Sequence, residues 1–476
     1  MNATPADPYR LDPSKIKEPP TSLLASLKYL GPGFILSASI VGSGELIATT
    51  IMGAKAGFVL LWFIIFSCIV KVAVQLEFGK HAISTGETTM AALNSLPGPR
   101  MGKANWSIWL WLILMLTKTC QLGGIIGGVV LGSEQLFPWL GTANLIQNET
   151  ITIPVRYLTT LLIGVSVSIL VYRGYYLLLE KASLIMIGLF TMMTLLSLIM
   201  LQTTEMAVTG AELSSGLTPS LPTETLWLVA IGAFGITGVG GDEILAYNYW
   251  LIEKGYAAYT GPKDDSPEWT RRAKGWIGVM YWDAILAMVC YTLMTTMFYL
   301  LGAAILNRNG LVPENEQLIS TLGTMYTQTL GTWAKVGFVV GAVVVLYSTM
   351  FASLAAWTRL YSDALGQIGL LDFRNPVSRR RAIGFFAWAF PVSWTLLFLF
   401  FKNPGLLVIV GGAITVVILL IVVYATLNFR YRRLDARLKP SLFYDLTLWV
   451  SALAILTVAG FSGRDVIVKL FGWFSS

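Results

Sequence analysis

Two stretches of this chain set carboxylates directly after clustered glycines within apolar surroundings. They are Val41-Gly-Ser-Gly-Glu-Leu-Ile-Ala48 and Val239-Gly-Gly-Asp-Glu-Ile-Leu-Ala246. Glycine weakens a helix, and an ionised carboxylate inside a bilayer is costly unless something pairs with it. A helix interrupted at such a point presents free N–H and C=O groups to a cavity. Those carbonyls, with Glu45, Asp242 and Glu243, make an all-oxygen site that suits hard cations such as Mg²⁺, Mn²⁺ or Ca²⁺, and protons. Gly42, Ser43, Gly44, Gly240 and Gly241 are the predicted unwound backbone, supplying carbonyls and hinges. The competing reading is charge pairing. Lys71 and Lys118 each fall about a dozen residues into an apolar stretch, near mid-depth at ~1.5 Å per residue, and intramembrane lysines almost always pair. Two lysines against three carboxylates leave about one negative charge over, and Lys118 or Lys71 is then the counter-charge of any anionic solute.

Other titratable groups are weaker candidates. Asp283 and Glu77 read as interfacial or salt-bridge residues, and His81, the one histidine, as a surface residue at the end of its apolar stretch. No His/Cys metal cluster, nucleophile triad or Walker sequence is present, which argues against an enzyme, an ATP-driven pump and any bound cofactor.

The elements that must position these groups are membrane spans. The 476 residues are 55% hydrophobic and 12% charged, with a mean hydropathy of +0.67, values ordinary for a polytopic membrane protein. Spans of roughly 20 apolar residues are predicted near 33–54, 58–80, 106–132, 154–172, 181–202 and 225–252, then 276–303, 336–361, 382–401, 405–429 and 443–460. Lys and Arg crowd the segments on the N-terminal side of the membrane, the positive-inside asymmetry. It sets the N-terminus in the cytoplasm and, with eleven spans, the C-terminus outside, in an integral and plasma (inner) membrane protein. Arg379-Arg-Arg381 and Arg430, Arg432, Arg433 and Arg437 then anchor loops near anionic headgroups; the net charge of +7 does not signal nucleic-acid binding.

The two octapeptides fall in spans one and six. An odd number of crossings separates them, so the second copy runs the opposite way, as an inverted repeat requires. The predicted organisation is a cytoplasmic tail (1–30), a first repeat (31–202), a second repeat (225–429) and span eleven with the C-terminal tail (443–476). The polar N-terminal tail is expected to be mobile, with no signal peptide. Residues 254–275 are expected to form a short helix or gate. Cys68, Cys120 and Cys290 lie within spans and predict no disulfide. Gly123, Gly124, Gly127, Gly128 and Gly132 stripe span three at a spacing that means close helix packing rather than a nucleotide loop. Asn148-Glu-Thr is a glycosylation sequon on the predicted outer side.

Gly31-Pro-Gly-Phe34, followed without a gap by Ala54-Lys-Ala-Gly-Phe58, Leu60-Leu-Trp62, Gln75 and Thr85-Gly86, resembles the Nramp family of metal transporters. That resemblance implies a LeuT-type fold: an all-α polytopic membrane protein with an inverted repeat of five helices plus one extra, about eleven in all. The site motifs depart from the family. Its Asp-Pro-Gly-Asn break falls on Gly42-Ser43-Gly44-Glu45, and its Met-Pro-His on Gly240-Gly241-Asp242. The soft sulfur ligand implied for transition metals is therefore absent. The family's acidic pair linked to proton movement falls on Gln121 and Gly124, its partner arginine has no counterpart after Arg381, and its span-ten glutamine falls near Gly411-Gly412.

The expected function is a secondary transporter or facilitator of a divalent cation with a hard-oxygen preference (Mg/Mn-like), with Glu45, Asp242 and Glu243 as ligands and proton coupling doubtful. The alternatives are a transporter of a small organic or anionic solute coupled to H⁺ or Na⁺, and a non-transporting membrane receptor.

Overall fold

The computed structural model of the chain describes residues 7–147, 152–174 and 176–474, excluding the side chains of residues 23, 34, 38, 176–184 and 462–474. The Asn148 sequon lies outside the described residues. Among them, nine helices are long and apolar enough to cross a membrane. Two more elements complete the series: the continuous helical run Pro32–Ile40, Val41–Thr49 and Thr50–Ala56, and the helix Tyr176–Leu201. We number them as spans in chain order. Span one is that run, two is Leu61–Thr85, three Trp106–Leu136, four Val155–Arg173 and five Tyr176–Leu201. Six is Trp227–Lys254, seven Pro267–Asn307, eight Ala334–Ile368, nine Pro376–Phe401, ten Pro404–Arg433 and eleven begins at Leu442.

Local signals explain where spans begin. Pro32, Pro267, Pro376 and Pro404 occupy first-turn positions, where the missing N–H costs nothing. Asn105, Ser266, Asn375 and Asn403 cap backbone N–H groups at the starts of spans three, seven, nine and ten, as short polar side chains do. The expected element within 254–275 is present as the short helix Tyr256–Thr260.

Burial sorts the spans into centre and rim. The most apolar window of span six is 94% buried, against 28% for span four. Spans six and ten cross so closely that a methyl group on Gly412 would lie 2.1 Å from Gly232 O, and one on Gly235 would lie 1.9 Å from Gly412 O. The glycine stripe of span three packs as expected: methyl groups there would meet span eight at Gly128 and Gly132, span nine at Gly123 and Gly127, and the start of span ten at Gly124. The three cysteines are free.

Two sequence expectations are corrected. From residue 7 the N-terminal tail is not loose but strapped across one face. Tyr9 donates to Glu253 Oε1 at 2.5 Å, and Asp7 pairs with Arg379 at 2.8 Å. Further along, Trp276 Nε1 donates to Lys17 O at 3.0 Å and Glu18 pairs with Arg271 at 2.9 Å. The tail's scattered aromatic and charged residues find complementary partners on several helix ends, which composition alone does not reveal. His81 is buried rather than on the surface. Its ring stacks on Phe429 at 4.2 Å between centroids and bonds Glu87 at 3.0 Å, because span ten's end folds over span two.

Candidate functional site

Spans one and six meet in the centre, but only span six is broken. Its first half ends at Ile236, its second starts at Gly241, and the chain turns between them through Gly238 at φ +62°. The expected interruption of span one at Gly42–Glu45 is not present: Val41–Thr49 stays helical as a wide π-type segment. The reason lies upstream of the shared octapeptide. Where the second copy has Gly238 the first has Ile40, and a β-branched residue does not adopt a positive φ. The widened turn instead leaves Gly42 N–H to donate to Thr349 Oγ1 at 3.1 Å, while Gly44 O accepts from Thr49 Oγ1 at 2.8 Å. Gly44 itself allows contact, since a methyl there would lie 2.4 Å from Ile236 O.

Glu45 spans the junction. Its Oε1 accepts from Gly238 N–H at 3.2 Å and from Thr295 Oγ1 of span seven at 2.9 Å, whereas Oε2 is buried without a hydrogen-bond partner. Asp242 and Glu243 occupy the first turn of span six's second half, where the helix dipole favours negative charge. Asp242 forms an ion pair with Lys118 and accepts from Trp357 Nε1 at 3.0 Å. Glu243 folds back over Gly240, with its buried Oε2 also lacking a partner.

Lys71 does not pair directly with a carboxylate. Its Nζ donates to Phe234 O and Thr237 O, both at 2.5 Å. These are carbonyls at the negative end of span six's first half, where a cation is favoured. Lys71 therefore already occupies carbonyls that an interrupted helix would otherwise offer to an ion. Of the weaker candidates, Glu77 pairs with Lys80. Asp283 caps span one, accepting from Gly31 N–H at 2.8 Å and Gly33 N–H at 2.6 Å.

The predicted residues are thus neighbours around one junction without forming a single ligand set. Among the described residues, no group of three or more His, Cys, Asp or Glu side chains is arranged to hold a metal ion. Asp242 and Glu243 line a cavity of about 10 Å³ together with Ser39 of span one and Ser353 and Trp357 of span eight, room on the scale of one water molecule or a bare ion. Of the backbone residues expected at the break, Ser43 accepts from Gln121 Nε2 at 3.2 Å, and Gln121 Oε1 is left without a partner. Gly411 packs on the Gln121 side chain and Gly412 on Gly232, so the position of the family's span-ten glutamine is taken up by helix packing. Sequence reasoning missed Thr295, Trp357 and the two serines. Thr295 carried a faint signal as a hydroxyl in an apolar run, and Trp357 carried none.

A buried broken helix crossing a second, widened one within a bundle of apolar spans defines an integral membrane protein with the LeuT-type transporter fold. Solved structures that share that fold include a mutant of the Eremococcus coleocola manganese transporter (TM-score 0.52, 14% identity, 95% of this chain and 97% of that one) and MhsT in complex with L-phenylalanine (TM-score 0.53, 16% identity, 93% and 100%). The family model Natural resistance-associated macrophage protein-like matches residues 33–462, and the chain belongs to the Nramp family. Among its relatives are Uncharacterized protein PM0681 of Pasteurella multocida, 26% identical over 94% of this chain and 93% of that one, and Divalent metal cation transporter MntH of Caldanaerobacter subterraneus, 24% identical over 75% of each.

Proposed function

We propose that this protein is a secondary transporter or facilitator of a divalent cation with a hard-oxygen preference, Mn²⁺ or Mg²⁺, working in the plasma membrane with its N-terminus inside. The observation that carries this reading is the partnerless Glu243 oxygen beside Asp242, in a cavity too small for an organic solute in this conformation and lined by neither Met nor Cys. Family membership and the relatives named as divalent metal cation transporters support it. Glu243 is the permanent ligand in this reading. Asp242 joins it when the entering cation displaces Lys118, and the serine hydroxyls complete an oxygen shell. Glu45 and Lys71 hold the junction: one accepts the N–H of Gly238, the other caps the carbonyls of Phe234 and Thr237. Lys118 also favours a second reading, in which an anionic solute takes the ammonium from Asp242.

Uptake into proteoliposomes tests the two. Wild-type protein should move Mn²⁺ and Mg²⁺ at least ten-fold faster than a Glu243→Gln variant, with no special advantage for Cd²⁺, because no soft ligand reaches the cavity. Wild-type protein that neither binds nor moves any divalent cation refutes the cation reading.

A further inference from the structure

A second pocket lies away from the transport junction, on the side that the charge asymmetry assigns to the cytoplasm. It has a volume of about 320 Å³ and sits between the start of span seven, the end of span two and the segment leading into span eleven. Span seven contributes Lys274, Gly278 and Tyr281 on one helical stripe, and the other wall holds Lys439, Ser441 and Tyr444. Lys80 forms the floor. It is buried, paired with Glu77, and lies 3.8 Å from the centroid of the Tyr444 ring. Tyr281 and Tyr444 stack with centroids 6.2 Å apart.

The charge does not cancel. Glu77 answers Lys80, and nearby Arg430 is answered by Asp445 at 2.6 Å. No carboxylate lines the pocket, and neither Lys274 nor Lys439 has an ion-pair partner among the described residues. Both lysine side chains are solvent-exposed at the helix ends. Directly beyond Ser441, Leu442 and Phe443 are 87% and 79% exposed, and on span seven Ile285 and Val289 continue the Tyr281 stripe as exposed apolar residues. A cationic, hydroxyl-bearing cavity at the end of the spans thus opens beside apolar surface that runs toward the bilayer interior.

We propose that this pocket binds the phosphodiester headgroup of an anionic phospholipid, with Lys274 and Lys439 pairing the phosphate, Ser441 donating to it, and the acyl chains lying along spans seven and eleven. Basic pockets between spans on the cytoplasmic side suit such headgroups, and each lysine near the surface contributes about five-fold in affinity. The inference is independent of which solute the transporter moves.

The test uses the full chain in detergent, with phosphatidylglycerol, phosphatidylcholine and inorganic phosphate as probes, read by melting temperature and by native mass spectrometry. Phosphatidylglycerol should bind and raise the melting temperature, and phosphatidylcholine should not. Lys274→Gln and Lys439→Gln should each weaken phosphatidylglycerol binding about five-fold, and the double variant roughly 25-fold. Lys335→Gln, at the far end of the bundle, should leave it unchanged. Melting in phosphatidylcholine micelles reports whether each variant is folded. Unchanged phosphatidylglycerol binding by the folded double variant overturns the proposal. So does inorganic phosphate binding as tightly as the lipid, which would mean a free-anion site.

Discussion

Lys118→Met separates a cation site from a merely structural ion pair. Lys118 and Asp242 are both buried and paired, and once the ammonium is gone Asp242 keeps the Trp357 bond and its neighbour Glu243 but no cation of its own. Removing one partner of a buried pair costs about 3–5 kcal/mol, because a charge is left uncompensated. The apo variant should therefore melt well below wild type in chelator. The same loss leaves Asp242 and Glu243 adjacent in the first turn of span six's second half, with Lys71, held on the carbonyls of Phe234 and Thr237, as the remaining cation near Glu243. Two carboxylates sharing a low-dielectric site repel each other strongly once both are ionised. A divalent cation that no longer competes with Lys118 can recover part of that, and we expect its affinity to rise by about 10- to 100-fold. At a concentration 100 times the new Kd, binding returns about 2.7 kcal/mol of stability, most of what the substitution removed.

The assay is a melting curve with and without MnCl₂ or MgCl₂, plus calorimetry, on wild type, Lys118→Met, Asp242→Asn and the double variant. Lys118→Met should be unstable in chelator and rescued by the cation. The double variant should be stable in chelator and indifferent to the cation. The reasoning is refuted if Lys118→Met responds to divalent cations no more than wild type does and only the second substitution restores it. Asp242 would then serve Lys118 alone, and the organic-solute reading would gain.

Glu45→Gln should lower the melting temperature while changing cation affinity less than Glu243→Gln, since Glu45 does not line the cavity and its Oε1 is held by Gly238 N–H and Thr295; titration calorimetry on both variants checks the order. Cation uptake should be nearly independent of an imposed pH gradient, because Gln121 and Gly124 offer no titratable relay along span three; robust intravesicular acidification that survives neutralising Glu45 and Glu243 contradicts this. Gly412→Ala should abolish folded protein, as its methyl would meet Gly232 O at 2.1 Å with backbone on both sides; yield of monodisperse protein by size-exclusion chromatography is the readout. Tyr9→Ala should loosen the strap that ties the tail to Glu253 and raise the labelling rate of a cysteine placed at Ala91, which lines the cavity beside Tyr9; an unchanged rate means that the strap does not hold that side closed.

The membrane spans and the meeting of spans one and six were legible because hydropathy and a repeated octapeptide are sequence-local signals. Glycine packing was legible for the same reason, since small residues at helical spacing have few other uses in a bilayer. The pairing of Lys118 was legible only in kind. Charge counting required a partner, but nothing in the sequence singles out Asp242 over Glu45 or Glu243. The choice follows from where span three crosses span six. Trp357 and the serines were invisible because a lone serine in span one, or a serine or tryptophan in span eight, has no periodic or compositional mark of function, and only the fold brings those positions to the cavity beside Asp242.

The two octapeptides carry the same residue types and end in different backbones, and the difference reaches the chemistry. In the second copy a positive-φ glycine lets the chain turn, which frees the carbonyls of Phe234 and Thr237 at one half-helix end and sets two carboxylates at the start of the next. In the first copy Ile40 keeps the helix wound, so Glu45 is carried on a continuous segment and can only reach across to the broken one. Each charge at the junction then has a distinct structural situation. Lys71 is fixed to backbone, Glu45 to backbone and a hydroxyl through Oε1, Asp242 to a side-chain ammonium, and Glu243 Oε2, like Glu45 Oε2, to no hydrogen-bond donor, but with Glu243 lining the cavity. A ligand group must be able to exchange its partner, and backbone hydrogen bonds that hold a helix break in place exchange only when the break itself moves. On that ground we propose the pair Asp242–Lys118 and the open oxygen of Glu243 as the places for a solute, with Lys71 and Glu45 tying solute binding to the geometry of the break.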